Sequence, residues 1–260
     1  YLERGTKIFR LDAVAFIWKQ INTECINLPQ THEIIRLIRT LTDFYSDEVF
    51  LVTETNIPNR ENLSYFGNRN EAHLVYNFAL PPLILYTLLN GMSGKIKQWL
   101  MSMPPAIFGT TYFNFIASHD GIGLRPIEEI LTEEEIDMLA KNIEGAGGKV
   151  SYRTKENSQR PYELNIALFD ALKLHVKDGD DGYQEARFIS AHTIMLSLEG
   201  IPAFYIHSFL ATQNDYEKVK HSGKNRGINR HQWQMQELEQ ILLGENHHSR
   251  MFYELLRLIG

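Results

Sequence analysis

Three short polar clusters carry the residue types from which chemistry could be built: Arg10-Leu11-Asp12, Thr53-Glu54-Thr55-Asn56 and Ser118-His119-Asp120. Each follows a short apolar run, so each stands where a strand is expected to end. Two carboxylates facing one another across a glycosidic bond can divide the work of breaking it: one attacks the anomeric carbon and the other protonates the departing oxygen. A third can offset the positive charge that builds on the sugar ring. Taken singly, each cluster has a plainer explanation. An Asp after a strand is more often a helix cap or a turn residue than a catalyst. Glu54 alone would be a solvated loop acid, His119 and Asp120 a local hydrogen-bonding pair, and Arg10 with Asp12 a structural ion pair. The signal lies in their combination.

The elements that must position these clusters alternate short apolar runs with helical stretches, which predicts α/β architecture with parallel strands. Strands are expected at 7–11, 49–53, 74–80, 112–117 and 203–207. Between the first two, the spacing of Ile34, Ile35, Leu37, Ile38, Leu41, Phe44 and Tyr45 predicts a helix over about 31–45, with Arg36 and Arg39 on its wet face. Strand, helix, strand is the ordinary crossover unit. Further helices are expected after Pro81-Pro82, over 183–198, stopped by Gly200 and Pro202, and over about 249–258. The intervening stretch 123–182, with its turn at Gly145–Gly148, is too long for a plain connection and reads as an inserted subdomain or active-site cover. Five strands leave two readings: an open doubly wound sheet, or part of a closed barrel whose other strands lie upstream of Tyr1. In the second reading, acids at three C-terminal strand ends converge on one pocket, and the first and last strands expose apolar edges.

Composition narrows the class. The 260 residues suffice for one large domain, and 43% hydrophobic with 22% charged residues is ordinary for a globular protein. A net charge of −6 and the lack of a long basic run give no support to a nucleic-acid role. Cys25 is the lone cysteine, so an internal disulfide and a cysteine-rich zinc site are excluded, and a reducing, cytoplasmic compartment fits. The most apolar run, 78–89, is interrupted by two prolines and falls well short of the roughly 20 residues a membrane span needs.

Read in order, FRLDAVAF, LVTETN and FIASHDG resemble three signature regions of glycoside hydrolase family 13, the α-amylase superfamily. NEAHLVYNFALPPL, FNFIASHDGIG, RPYELN and NRGINRH are similar to its sucrose-phosphorylase subfamily, and especially to the glucosylglycerate-phosphorylase branch; the resemblance covers essentially the whole chain. It implies a fold: the C-terminal part of a (β/α)8 TIM barrel, with strands 4 to 7 and their helices in 1–123, an inserted subdomain in 124–182, and helix 7, strand 8 and helix 8 in 183–260. It also implies roles. Asp12 would be the nucleophile, Glu54 the acid/base and Asp120 the transition-state stabiliser. Arg10 would hold Asp12 ionised, His119 would bond glucose hydroxyls, and Arg226 would line the sugar subsite. The family's further Asp and Asn-His signature has no counterpart here, so the missing strands are expected from upstream residues or a partner chain.

The reaction so implied is double displacement through a β-glucosyl ester, with inorganic phosphate as co-substrate and no metal or organic cofactor. Retention predicts a spacing of roughly 5–5.5 Å between the Asp12 and Glu54 carboxyls. Hydrolysis of an α-glucoside, or a catalytically inactive barrel fragment, are the competing outcomes. For the acceptor, the segment with Lys149, Arg153, Lys155 and Arg160 against two acids could bind phosphate or the carboxylate of glycerate, Arg153 and Arg160 above all; a solvated charged loop is the equal alternative. Glu163 stands where sucrose phosphorylases typically have Gln, which points away from sucrose.

Overall fold

The structure is a computed structural model that describes residues 1–155 and 158–260, with Lys155 described in its backbone alone. The chain divides into two compact units: Tyr1–Phe78 with Pro104–Asn114 and Glu199–Ile201, and Ala79–Met103 with Phe115–Leu198 and Pro202–Gly260. This division by packing cuts across the consecutive segments 1–123, 124–182 and 183–260; 124–182 lies wholly in the second unit together with residues from both flanking segments.

In the first unit, Ile8–Leu11 (β1), Phe50–Thr53 (β2), Leu74–Tyr76 (β3) and Thr111–Phe115 (β4) pair in parallel, all but the last residue of β4 within the unit. With a short last strand begun by Ile201 the sheet has the order 1-2-3-4-last, so the first and last strands are its edges, as expected from the sequence. The expected strand 203–207 is displaced to Ile201–Ala203, followed by a helical turn, Ile206–Phe209. Pro202, the middle residue of this three-residue strand, has no N–H to give to the ladder. Gly200 leads into it at φ 130°, and a Cβ there would stand 2.5 Å from the Tyr112 carbonyl oxygen, so only glycine fits.

The helix Pro29–Tyr45 starts with proline in its first turn, where the missing N–H costs nothing. Its inward face differs from the sequence expectation. Leu37, Leu41 and Phe44 are exposed, whereas Thr31, Ile35 and Thr42 are buried, and Arg39 is largely covered. The cause is Glu71, a carboxylate only 2% exposed. It takes His32 Nδ1 at 2.7 Å and Arg36 Nε at 3.2 Å, while Arg39 Nη1 donates to its backbone carbonyl at 3.1 Å. A buried carboxylate without cations is far costlier than exposed leucines, so the basic face turns inward. Beside it Val14, Ala15, Ile35, Ile57, Tyr65, Ala72 and Val75 form the unit's apolar core.

The second unit is built round the helix Leu80–Asn90, buried on nearly every face, with Pro81 and Pro82 in its first turn and Gly91 ending it in the left-handed region. A helix apolar all round belongs in a core, and it packs with Leu139, Ile143, Phe188, Ala191 and Leu255 from three other helices. No helix among the described residues is long and apolar enough to cross a membrane. The 123–182 stretch folds into the helix Glu133–Gly145, opened by a Thr132–Glu135 capping box, and an antiparallel sheet of Ile122–Gly123 (β5), Lys149–Lys155 (β6) and Ser158–Asn165 (β7) in the order β5-β7-β6. A two-stranded ribbon, Leu174–His175 (β8) with Gly179–Asp180 (β9), follows. The closing strand Ile201–Ala203 is β10.

Candidate functional site

In the first unit, parallel register sets the geometry. Leu11 lies opposite Thr53, so Asp12 and Glu54 leave neighbouring strands at the same level, with strands about 4.8 Å apart. Arg10, two residues before Asp12, points to the same face of the sheet. Its Nη1 donates to Asp12 Oδ1 at 2.5 Å, and its Nη2 lies 3.9 Å from Glu54 Oε2. One guanidinium therefore joins both acids. Glu54 Oε2 also accepts the Ala13 N–H at 2.7 Å. That N–H is aimed by a left-handed backbone at Ala13, φ 47° and ψ 36°, a conformation costing about 1 kcal/mol for a residue with a Cβ. The acids differ in exposure: the Asp12 side chain is 72% exposed and that of Glu54 12%.

Arg10 itself is held from the third strand. Its Nε donates to the Tyr76 hydroxyl at 3.2 Å. Burial opposes the Arg10 cation, but the Tyr76 phenol and the carboxylates of Asp12 and Glu54 outweigh it and raise its pKa above the ordinary arginine value. Behind this, Thr55 Oγ1 donates to Asn62 Oδ1 at 2.5 Å, and Asn62 Nδ2 donates to the Tyr76 carbonyl at 2.7 Å.

The second unit gathers the remaining cluster. Asp120 Oδ1 accepts Arg226 Nη1 at 2.6 Å and Arg230 Nη2 at 3.1 Å, and His119 Nε2 lies 3.6 Å from Asp120 Oδ2. Arg226 turns its other edge to Glu163, with Nε to Oε1 at 3.0 Å and Nη2 to Oε2 at 2.5 Å, a fork-on-fork pair. That pairing raises the Arg226 pKa well above the ordinary value. Glu163 is 3% exposed. It packs so closely on Gly121 that a Cβ there would meet Glu163 Cγ at 2.4 Å. The loop is fixed by Asn229, whose Nδ2 donates to the carbonyls of Ser118 and Asp120, both at 3.0 Å.

The structure thus brings Arg10, Asp12 and Glu54 together in one unit, and His119, Asp120 and Arg226 together in the other. Arg153 and Arg160 sit elsewhere in the second unit. They are cross-strand neighbours on β6 and β7, and each meets a carboxylate: Arg153 Nη2 with Glu128 Oε1 at 2.5 Å, Arg160 Nη2 with Glu133 Oε2 at 2.6 Å. With Leu131, Ile136 and Pro161 they line a separate cavity of about 210 Å³. The Lys155 side chain and Glu156 of that segment lie outside the described residues. Sequence reasoning missed Tyr76, Asn62, Asn229 and Arg230. The last two stand inside the NRGINRH motif and Tyr76 inside NEAHLVYNFALPPL, from which they could have been read; for Asn62 no local signal exists.

No protein-family model matches the chain. Among curated proteins, it is 44% identical over 243 residues to the glucosylglycerate phosphorylase of Allomeiothermus silvanus, covering 93% of this chain and 44% of that protein. It is 41% identical over 262 residues to the glucosylglycerate phosphorylase of Escherichia coli K12, covering 100% of this chain and 46% of that protein. The crystal structure of sucrose 6F-phosphate phosphorylase from Thermoanaerobacter thermosaccharolyticum superposes with a TM-score of 0.83 at 25% identity, over 99% of this chain and 49% of that one. The chain spans about half the length of the relatives it matches. It resembles the phosphorylases of glycoside hydrolase family 13, as its motifs led us to expect, and its α/β fold with a parallel five-stranded sheet matches part of the barrel of such an enzyme.

Proposed function

We propose that the chain supplies the reacting carboxylates of a retaining α-glucoside phosphorylase, with glucosylglycerate as its first substrate candidate. The observation that carries this reading is the pair of acids at one level on adjacent parallel strands, both within 4 Å of the Arg10 guanidinium. Similarity to two glucosylglycerate phosphorylases supports the substrate class.

In the first step Asp12 attacks the anomeric carbon while Glu54 gives its proton to the departing glycerate oxygen, leaving a β-glucosyl ester on Asp12. In the second, Glu54 acts as base as inorganic phosphate attacks, releasing α-glucose 1-phosphate with net retention and restoring both acids. Arg10 holds the Asp12 carboxylate in orientation through its Nη1 hydrogen bond until it attacks. Asp120, clamped by Arg226 and Arg230, is assigned the stabilisation of the oxocarbenium-like transition state, and His119 the glucose hydroxyls. No metal or organic cofactor enters these steps. Arg153 and Arg160 are held in ion pairs with Glu128 and Glu133, so their role in recognising phosphate or glycerate requires those pairs to open. The single cysteine supports a cytoplasmic setting.

The test is the product. Incubated with glucosylglycerate and phosphate, the protein is expected to release α-glucose 1-phosphate and to act on sucrose far more slowly. Asp12→Asn and Glu54→Gln should each lower turnover by at least about 100-fold. Free glucose as the product would replace phosphorolysis by hydrolysis, and full activity in Asp12→Asn would overturn the assignment.

A further inference from the structure

The described interactions contain a positioning group that none of the assigned roles uses. Tyr76 ends β3, two strands from β1, and its ring lies against Arg10, with Arg10 Cζ 5.6 Å from the ring centroid. Its hydroxyl takes the Arg10 Nε–H at 3.2 Å. The ring is wedged between Phe113, centroids 4.6 Å apart, and Phe78, 5.5 Å apart. Its backbone carbonyl is tied through Asn62 to Thr55, the residue after Glu54, and both Asn62 and Thr55 are buried. The chain of contacts closes on itself: Glu54 and Thr55 just after the second strand, Asn62, Tyr76 on the third, and Arg10 back to Asp12 and Glu54.

We propose that Tyr76 is a positioning residue for the reaction, acting through Arg10. A guanidinium has five N–H donors in a fixed plane. An unrestrained arginine two residues from an aspartate can pivot to present Nε and one Nη to it as a bidentate pair, turning away from any second acid. By occupying Nε, the Tyr76 hydroxyl leaves Nη1 to Asp12 and directs Nη2 toward Glu54. The stacked ring fixes the plane, and the Asn62 bridge locks Tyr76 in register with the strand that carries Glu54. Tyr76 touches no substrate in this scheme.

This inference rests on the proposed function for its kinetic arm and is independent of it for its spectroscopic arm. In Tyr76→Phe, the ring and its packing on Phe113 and Phe78 remain and only the hydroxyl is lost. Hydrogen exchange at the Arg10 Nε–H, followed by nuclear magnetic resonance in arginine-labelled protein, should accelerate by about tenfold or more, while exchange at Arg187 Nε, bonded to the Leu172 carbonyl, should not change. Unchanged exchange at Arg10 would overturn the proposal whether or not the protein is a phosphorylase. In the kinetic arm, kcat for glucose 1-phosphate release should fall by about tenfold with KM within twofold. The same substitution in an Arg10→Met background should have no further effect, because its partner is gone. An equal loss in both backgrounds would make Tyr76 merely structural. Should the wild-type chain release no product from any α-glucoside, the functional reading fails, and the exchange measurement alone decides the role of Tyr76.

Discussion

Removing the Arg226 cation should strand a buried carboxylate, and the cost of doing so can be separated from the cost of losing a contact. Arg226 serves three oxygen atoms at once: both of Glu163 and one of Asp120. Asp120 keeps Arg230 at 3.1 Å when Arg226 is gone, but among the interactions described Glu163, 3% exposed, has no second cation. Breaking a fully buried pair costs about 3–5 kcal/mol. The Arg226 side chain is 45% exposed, so water reaches part of this pair, and about 2 kcal/mol is the expected loss for Arg226→Met. Glu163→Gln keeps the shape but turns an amide N–H toward Nη2, for a cost of about 1 kcal/mol. The double variant leaves no stranded charge and should cost about 1 kcal/mol in total, which makes the coupling about 2 kcal/mol. Urea unfolding followed by tryptophan fluorescence measures all four corners of the cycle, and the buried Trp99 reports from the same unit. Additivity within about 0.4 kcal/mol would refute the coupling, since it would mean that Glu163 does not rely on Arg226 as its partner.

Other perturbations test other parts of the fold. His192 is fully buried, bonds the Phe188 carbonyl through Nδ1 at 2.8 Å, and is pushed by burial from the ordinary 6.5 down to about 4. The folded state resists its protonation, so this residue contributes no penalty above pH 6.5 and destabilises the fold as pH falls toward 4, by about 3 kcal/mol at the end of that window. Denaturation of wild type and His192→Met at pH 7.5 and 4.5 should show the variant losing about 2 kcal/mol less on acidification; parallel losses would discount His192. Gly121→Ala pushes a methyl into Glu163 and should cost about 1–3 kcal/mol, read as a lowered melting temperature, together with a fall in turnover as the Arg226 fork shifts. Thr132→Ala deletes the cap of the helix Glu133–Gly145 for about 1 kcal/mol, and Thr132→Ser should restore most of it; equal melting temperatures for all three proteins would contradict the capping box.

What could be read from the sequence was local. The strands ending at Leu11, Thr53 and Phe115 announce themselves as apolar runs followed by polar residues, and the acids adjoin them in the chain. The parallel crossover through the helix Pro29–Tyr45 follows from periodicity. That helix's orientation does not, because the residue that decides it, Glu71, lies 32 to 39 positions away from its partners. The same distance hides Tyr76 from Arg10, 66 residues apart, and Glu163 from Arg226, 63 apart. The shift of the last strand to Ile201–Ala203 has a similar origin. The run Pro202–His207 is apolar enough for a strand, but the Tyr205 hydroxyl is drawn to the Asn229 carbonyl at 2.9 Å, and the chain turns helical at Ile206. Periodicity sees neighbours in sequence; long-range polar pairs set which face turns inward.

The unequal reach of Arg10 bears on how two acids could alternate roles in the proposed reaction. The nucleophile must be a carboxylate when the sugar arrives, whereas the acid/base must hold a proton in the first step and release it in the second. A cation equally close to both would favour the charged form of each and oppose the proton that Glu54 has to carry. Arg10 instead touches Asp12 at 2.5 Å and stands 3.9 Å from Glu54, while the acid/base carboxylate leans on the Ala13 N–H. Arg10→Lys separates these effects. A lysine ammonium cannot span both acids in one plane and has no Nε to give Tyr76, so it would settle on Asp12, the nearer carboxylate. If the asymmetry is what matters, Arg10→Lys should keep more turnover than Arg10→Met by about tenfold or more. Equal losses in the two variants would show that the bridging geometry, rather than the charge beside Asp12, is the property the reaction needs.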